Sequence, residues 1–149
     1  MYKFPMPFRV QVRDNGEATW TSQAQPTEAS SGVADALPVA IPPGFQGPGG
    51  GYSPEDFFAL AMANCFAATF RVIASKSSLT YRALEVDCEL EVDVGESKKP
   101  WMARCHLKVR LAGASNDERA LRLLKKVSGQ CLIHQSVKTE TRYSFEVVP

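Results

Sequence analysis

Residues 84–94 alternate without a break. Leu84, Val86, Cys88, Leu90, Val92 and Val94 fall on one side, and Glu85, Asp87, Glu89, Glu91 and Asp93 on the other. A period of two is that of a half-buried strand. After Gly95-Glu96-Ser97-Lys98-Lys99-Pro100 the alternation resumes, with Cys105, Leu107, Val109 and Leu111 inward and Arg104, His106, Lys108 and Arg110 outward. An acidic strand face followed by a basic one predicts an antiparallel hairpin with opposite charges paired across the ladder. The same parity turns Cys88 and Cys105 inward, where cysteine behaves as a small hydrophobe. It leaves His106 on the solvated side.

Upstream, residues 57–74 form the longest apolar run, interrupted by Asn64, Thr69 and Arg71. It is nearly long enough to span a bilayer, but these polar residues and its alanine content read as a buried helix of a soluble protein. Ser53 is placed to cap it, Pro54 suits the first helical position, and Glu55 and Asp56 sit where the helix dipole favours negative charge. A helix this apolar has no face for water, so a second copy of the chain is the economical way to cover it.

Phe4, Met6, Phe8, Val10 and Val12 alternate as an N-terminal strand that turns at Asp14-Asn15-Gly16 toward a partner near residues 18–24. Residues 27–51 are rich in Pro, Gly, Ala and Ser and read as a long excursion. Ser115-Asn116-Asp117-Glu118 reads as a capping box for a helix whose Ala120, Leu121, Leu124 and Val127 make one apolar stripe ending at Gly129. A last strand covers 139–147. The order predicts an α+β protein, one domain over 1–149.

Composition narrows the function classes. Seventeen basic against 16 acidic residues leave a net charge of +1, which speaks against nucleic-acid and membrane-surface partners. Residues 1–12 carry Pro5, Pro7 and Arg9 instead of a continuous apolar stretch, so the cytoplasm is the expected compartment. Structural disulfides are uncommon there, and a thiol pair is more often catalytic or redox-sensing. Cys65, Cys88, Cys105 and Cys131 show no C-x-x-C spacing, and His106 and His134 complete no zinc pattern, so no metal is expected.

Cys65, in the middle of the apolar helix, has two readings. One is packing. The other is reactivity, which requires a thiolate; an apolar site opposes the charge unless a cation is supplied, and the cation in turn needs a carboxylate to hold it.

The stretch Gly44-Phe45-Gln46-Gly47-Pro48-Gly49-Gly50-Gly51-Tyr52-Ser53-Pro54-Glu55-Asp56-Phe57-Phe58, running on to Cys65-Phe66, resembles the region before the reactive cysteine in the OsmC/Ohr family of hydroperoxide-reducing proteins. Cys131-Leu132-Ile133-His134-Gln135-Ser136 is similar to the segment where that family places its second cysteine. The resemblance implies an OsmC-like fold with antiparallel sheets wrapped around a long buried central helix, an intertwined homodimer, and a thiol peroxidase acting on small organic hydroperoxides without metal or organic cofactor. Cys65 would be peroxidatic and Cys131 resolving, with an external dithiol reopening the disulfide.

Glu55 matches the family's glutamate, which holds an arginine against the thiolate. Ten residues of helix separate it from Cys65, about 15 Å, so it would serve the cysteine of the other subunit. Arg13, before a glycine turn, matches the arginine of one branch of the family, and it reads equally as a solvated turn residue. Arg9 is the reserve, and Arg71 points elsewhere on the helix. The sequence departs from the family in having Leu132 where proline often follows the second cysteine. It also has His134 where a small hydroxyl residue is common; His134 either tunes Cys131 or caps the local turn. The alternative function is an OsmC-like dimer without peroxidase activity, acting as a binding or structural protein.

Overall fold

Pro5 and Pro7 delay the first strand. Proline has no N–H to give to a ladder, and regular pairing starts only at β1 (Arg9–Arg13). The computed structural model describes residues 2–32 and 35–149. Its contacts divide the chain into two compact units, Met1–Phe57 and Phe58–Pro149.

In the first unit, the turn after β1 closes with the Gly16 N–H donating to Asp14 Oδ1 at 2.8 Å, and Gly16 takes a φ of +79°. That conformation is open to glycine at little cost. β2 (Trp20–Gln25) returns antiparallel, with Arg13 opposite Thr21 and Arg9 opposite Gln25. The predicted excursion contributes a third strand, β3 (Leu37–Val39), paired antiparallel to β2. Its Pro38 hides it from a propensity reading, yet proline is tolerated in a strand at a sheet edge. Val33 and Ala34, in the same excursion, lie outside the described residues. A single 3-10 turn follows at Pro43–Phe45. Gly47 then packs so closely on the Ile41 backbone that a Cβ would collide with it.

Helix α1 (Pro54–Lys76) starts in this unit and runs on through the second. Its cap is reciprocal: the Asp56 N–H donates to Ser53 Oγ at 3.0 Å, and the Ser53 N–H donates to Asp56 Oδ2 at 2.8 Å. Two orphan donors are thereby satisfied.

In the second unit, Met62, Phe66, Phe70 and Ala74, spaced by four, are the buried face of α1. Leu60 and Val72 stay exposed, so this chain by itself covers one stripe of the helix rather than its whole circumference. The predicted hairpin forms as β4 (Ala83–Val94) and β5 (Pro100–Ala112), with Glu85 opposite Arg110, Asp87 opposite Lys108 and Glu91 opposite Arg104. Arg104 reaches both Glu91 and Asp93 at 2.7 Å. Its hydrogen bond holds the Asp93 carboxyl below the usual range. On the inner face of β5, Cys105, Leu107, Val109 and Leu111 are buried, and Cys88 and its neighbours on β4 are half-buried.

Helix α2 (Asp117–Ser128) is capped by Asn116, whose Oδ1 accepts from the Arg119 N–H at 2.8 Å. The expected Ser115–Glu118 box is displaced because Ser115 is engaged elsewhere, accepting from the Thr80 N–H at 3.2 Å. The buried stripe of α2 contains Leu123 alongside Ala120, Leu124 and Val127. After a short α3 (Leu132–Gln135), β6 (Glu140–Val148) lies parallel to β5. This departs from the all-antiparallel expectation. The α2–α3 segment carries the chain back along the sheet before β6 begins, and a crossover of this length is what parallel neighbours require. The architecture is α+β, with one three-stranded sheet in each unit and the long helix α1.

Candidate active site

Cys65 and Cys131 come together in the second unit from opposite ends of its sequence. Cys65 lies on α1 beside the buried stripe and is half-buried, whereas Cys131 is fully enclosed. The local fold explains the position of Cys131. Helix α2 ends at Ser128 with Gly129 as its C-cap, and two residues later Cys131 serves as the N-cap residue of α3. Its thiol donates to the Val127 carbonyl at 3.3 Å, filling one of the acceptors left open at the end of α2.

The Cys131 sulfur lies near enough to the Cys65 sulfur and the Thr69 hydroxyl, one helical turn beyond Cys65, for both to act on its ionisation. Burial, and then the charge of Cys65, push the Cys131 thiol up to about 12. On the other side, the Ile133 N–H in the first turn of α3 points at the Cys65 sulfur at 3.5 Å. Thr69 Oγ1 donates to the Cys65 carbonyl at 2.7 Å.

His134 neither caps the local turn nor touches Cys131. It bridges two elements, with Nε2 2.8 Å from the Met62 carbonyl on α1 and Nδ1 2.6 Å from the Tyr143 hydroxyl on β6. The carbonyl only accepts, so the network places a proton on Nε2, while Nδ1 pairs with a Tyr143 hydroxyl that also lies 3.4 Å from the Ser128 carbonyl. Burial, and then the nearby cysteine sulfurs, push the Tyr143 phenol up to about 12. This latch ties the segment after Cys131 to the helix that carries Cys65. His134→Ala is expected to cost about 1–3 kcal/mol, the range for leaving buried polar partners unpaired. Tyr143→Phe should then cost less on that background than alone. Urea titration of the four proteins in a double-mutant cycle measures the coupling, and simple additivity would show that the two side chains act separately.

Of the other expected residues, Arg13 and Glu55 belong to the first unit. Arg13 ends β1 as an exposed residue. Glu55 lies in the first turn of α1, and its Oε2 is buried without a hydrogen-bond partner among the described residues. Arg9 and Arg71 are exposed. Sequence reasoning missed Tyr143 and Thr69. The parity of β6 already turned Tyr143 inward with Thr141 and Phe145, and Thr69 stands four residues after Cys65, the interval that stacks side chains on a helix.

Comparison with known proteins bears on the fold and the family. A curated relative, the uncharacterized protein YmaD of Bacillus subtilis, is 27% identical over 112 residues, spanning 72% of this chain and 75% of its own. Among solved structures, the OsmC-like protein of Mycoplasma pneumoniae superposes with a TM-score of 0.78 at 13% identity, covering 97% of this chain and 99% of the other. An organic hydroperoxide resistance protein from Elizabethkingia anophelis gives 0.74 at 14% identity, covering 99% of each. At such identities these likenesses speak for the fold. The family of OsmC-like proteins matches residues 47–146, from the glycine-rich loop through both cysteines to the last strand, and the chain belongs to that family.

Proposed function

We propose that the protein is a thiol peroxidase that reduces organic hydroperoxides, with Cys65 as the peroxidatic and Cys131 as the resolving cysteine. The observation that carries this reading is that a half-buried and a fully buried sulfur, 66 positions apart in sequence, meet in one core cluster, with the Ile133 N–H, two residues past Cys131, 3.5 Å from the Cys65 sulfur. Chance packing of two cysteines has no need of that proximity. A peroxide-reducing dithiol does.

The chemistry balances in two steps. The Cys65 thiolate attacks the distal oxygen of ROOH; the O–O bond breaks, an S–O bond forms, and the alkoxide leaves as ROH after taking a proton. Cys131 then attacks the sulfur of the sulfenic acid. The S–S bond forms as hydroxide departs and leaves as water with the proton of Cys131. The position of Cys131 orders these events. Part of what keeps its thiol protonated is the charge of Cys65, and that charge disappears when Cys65 becomes a neutral sulfenic acid. Oxidation of the first cysteine therefore readies the second. An external dithiol restores both by exchange.

The activating cation is assigned to Arg13, held by Glu55. The unpartnered Glu55 Oε2 supports this, since a buried carboxylate oxygen is satisfied when a guanidinium meets it. Glu55 and Cys65 lie ten positions apart on α1, about 15 Å of helix rise, so the glutamate reaches the cysteine of a second copy. A homodimer would also cover Leu60 and Val72.

One equivalent of an alkyl hydroperoxide added to the reduced protein, followed by peptide mapping, tests the reading. A Cys65–Cys131 bond is expected within the first turnover. A Cys88–Cys105 bond in its place, or four free thiols, would sink it.

A further inference from the structure

The mechanism above leaves two cysteines unused, and they are not apart. Cys88 on β4 and Cys105 on β5 have their sulfurs 3.0 Å from each other. This is closer than the roughly 3.5–4.0 Å of an ordinary non-bonded contact between heavy atoms. The register explains how they meet. Cys88 stands opposite Leu107, and Cys105 stands opposite Leu90, so the two are diagonal neighbours on the inner face of the hairpin, within side-chain reach.

Their environments differ in a way that assigns roles. β4 is the edge strand of its sheet, and Cys88 is half-buried there; Cys105 lies on the central strand and is 1% exposed. The hydrogen bond between the thiols lowers the pKa of Cys88, and the same bond, with burial, raises that of Cys105. The less buried member of the pair is thus also the one whose thiol is lowered.

We infer that Cys88 and Cys105 form a second dithiol–disulfide couple, separate from Cys65 and Cys131, that exchanges with small aliphatic disulfides entering at Cys88. The inference is independent of the peroxidase reading. The Cys88 thiolate attacks one sulfur of RSSR, forming a mixed disulfide and releasing RS⁻, which takes up the proton lost from Cys88. Cys105 then attacks the Cys88 sulfur, and the second RSH departs with the proton of Cys105. Two protein thiols are oxidised and one external disulfide is reduced.

Closing the bond requires the sulfurs to move from 3.0 Å to about 2.0 Å. An edge strand can make that shift, and the ladder already changes register nearby, between Glu91 and Val92. The couple is expected to reopen with excess thiol and so to act as a reversible clamp on β4.

The test is to equilibrate the full chain in buffers of rising glutathione disulfide to glutathione ratio, quench with an alkylating agent and map the peptides. The expected result is a linked Cys88–Cys105 peptide pair in the unaltered protein and equally in Cys65→Ser, where it accounts for the two alkylatable thiols lost. In Cys105→Ala, a stable glutathione adduct should accumulate on Cys88 instead. Cys88→Ala, altered at the less buried position, should leave Cys105 a free thiol throughout. If Cys88 and Cys105 remain fully alkylated in the most oxidising buffer while the protein keeps its native spectrum, the inference fails. That result would leave the Cys65–Cys131 reading untouched, because the hydroperoxide experiment probes it separately.

Discussion

Replacing Cys65 by serine is expected to end hydroperoxide consumption, with a loss on the order of a thousandfold or more, the scale on which removal of a nucleophile acts. A serine hydroxyl is not ionised at neutral pH and does not cycle through a sulfenic acid. Cys131→Ser should behave differently. The first equivalent of hydroperoxide is still consumed, because Cys65 and its half-exposed position remain. The sulfenic acid then has no thiol to capture it, and excess hydroperoxide carries it on to the sulfinic acid, which thiols do not reduce. Stopped-flow consumption and intact-protein mass separate the outcomes: no burst for Cys65→Ser, and a single burst followed by addition of two oxygens for Cys131→Ser. The asymmetry is the informative part. Equal loss of the first turnover in both variants would mean that the two sulfurs act as one unit, and a burst in Cys65→Ser would move the peroxidatic role to another cysteine.

How far the sequence reached depends on what kind of physics set each feature. The β4–β5 hairpin was legible because both signals that specify it are local: parity names the inward residues, and opposite charges such as Glu91 and Arg104 fix which strand faces which. The start of α1 was legible for the same reason, through Ser53 and Asp56. β3 was not, since a three-residue edge strand containing Pro38 has no periodicity to read. The parallel placement of β6 was also hidden, because it depends on where α2 and α3 leave the chain. The cap of α2 moved by one residue once Ser115 found Thr80, 35 positions away. At the site, the resemblance named both cysteines, but their proximity, the burial that holds the proton on Cys131 and the role of His134 come from packing among α1, α2, α3 and β6. The 3.0 Å approach of Cys88 and Cys105 was half legible. Parity put both inward, and only the diagonal register brought their sulfurs together.

Phe66→Ala is expected to be the most destabilising single change in the second unit, at about 3–5 kcal/mol. Phe66 follows Cys65, is 0% exposed, and has its ring centroid 6.0 Å from that of Tyr143 and 6.1 Å from that of Phe145. Truncation removes the transfer free energy of a ring, opens a cavity against two β6 aromatics, and breaks contacts that add to simple area burial. A domain of this size has only about 5–15 kcal/mol in total, so urea unfolding of the reduced protein should show a large fall in midpoint with little change in slope. Leu132→Ala, at a residue 77% exposed, should stay within about 0.5 kcal/mol. Phe66→Leu, which keeps the site apolar and nearly filled, should fall between them. Tyr143 loses a neighbour when Phe66 is cut back, so its hydrogen bond to His134 slackens. In the Phe66→Ala protein that remains folded, the segment carrying Cys131 should drift from Cys65, and Cys65–Cys131 disulfide formation should slow more than the initial attack on hydroperoxide. A Phe66→Ala protein as stable as its parent would show that β6 does not pack on α1 through these rings.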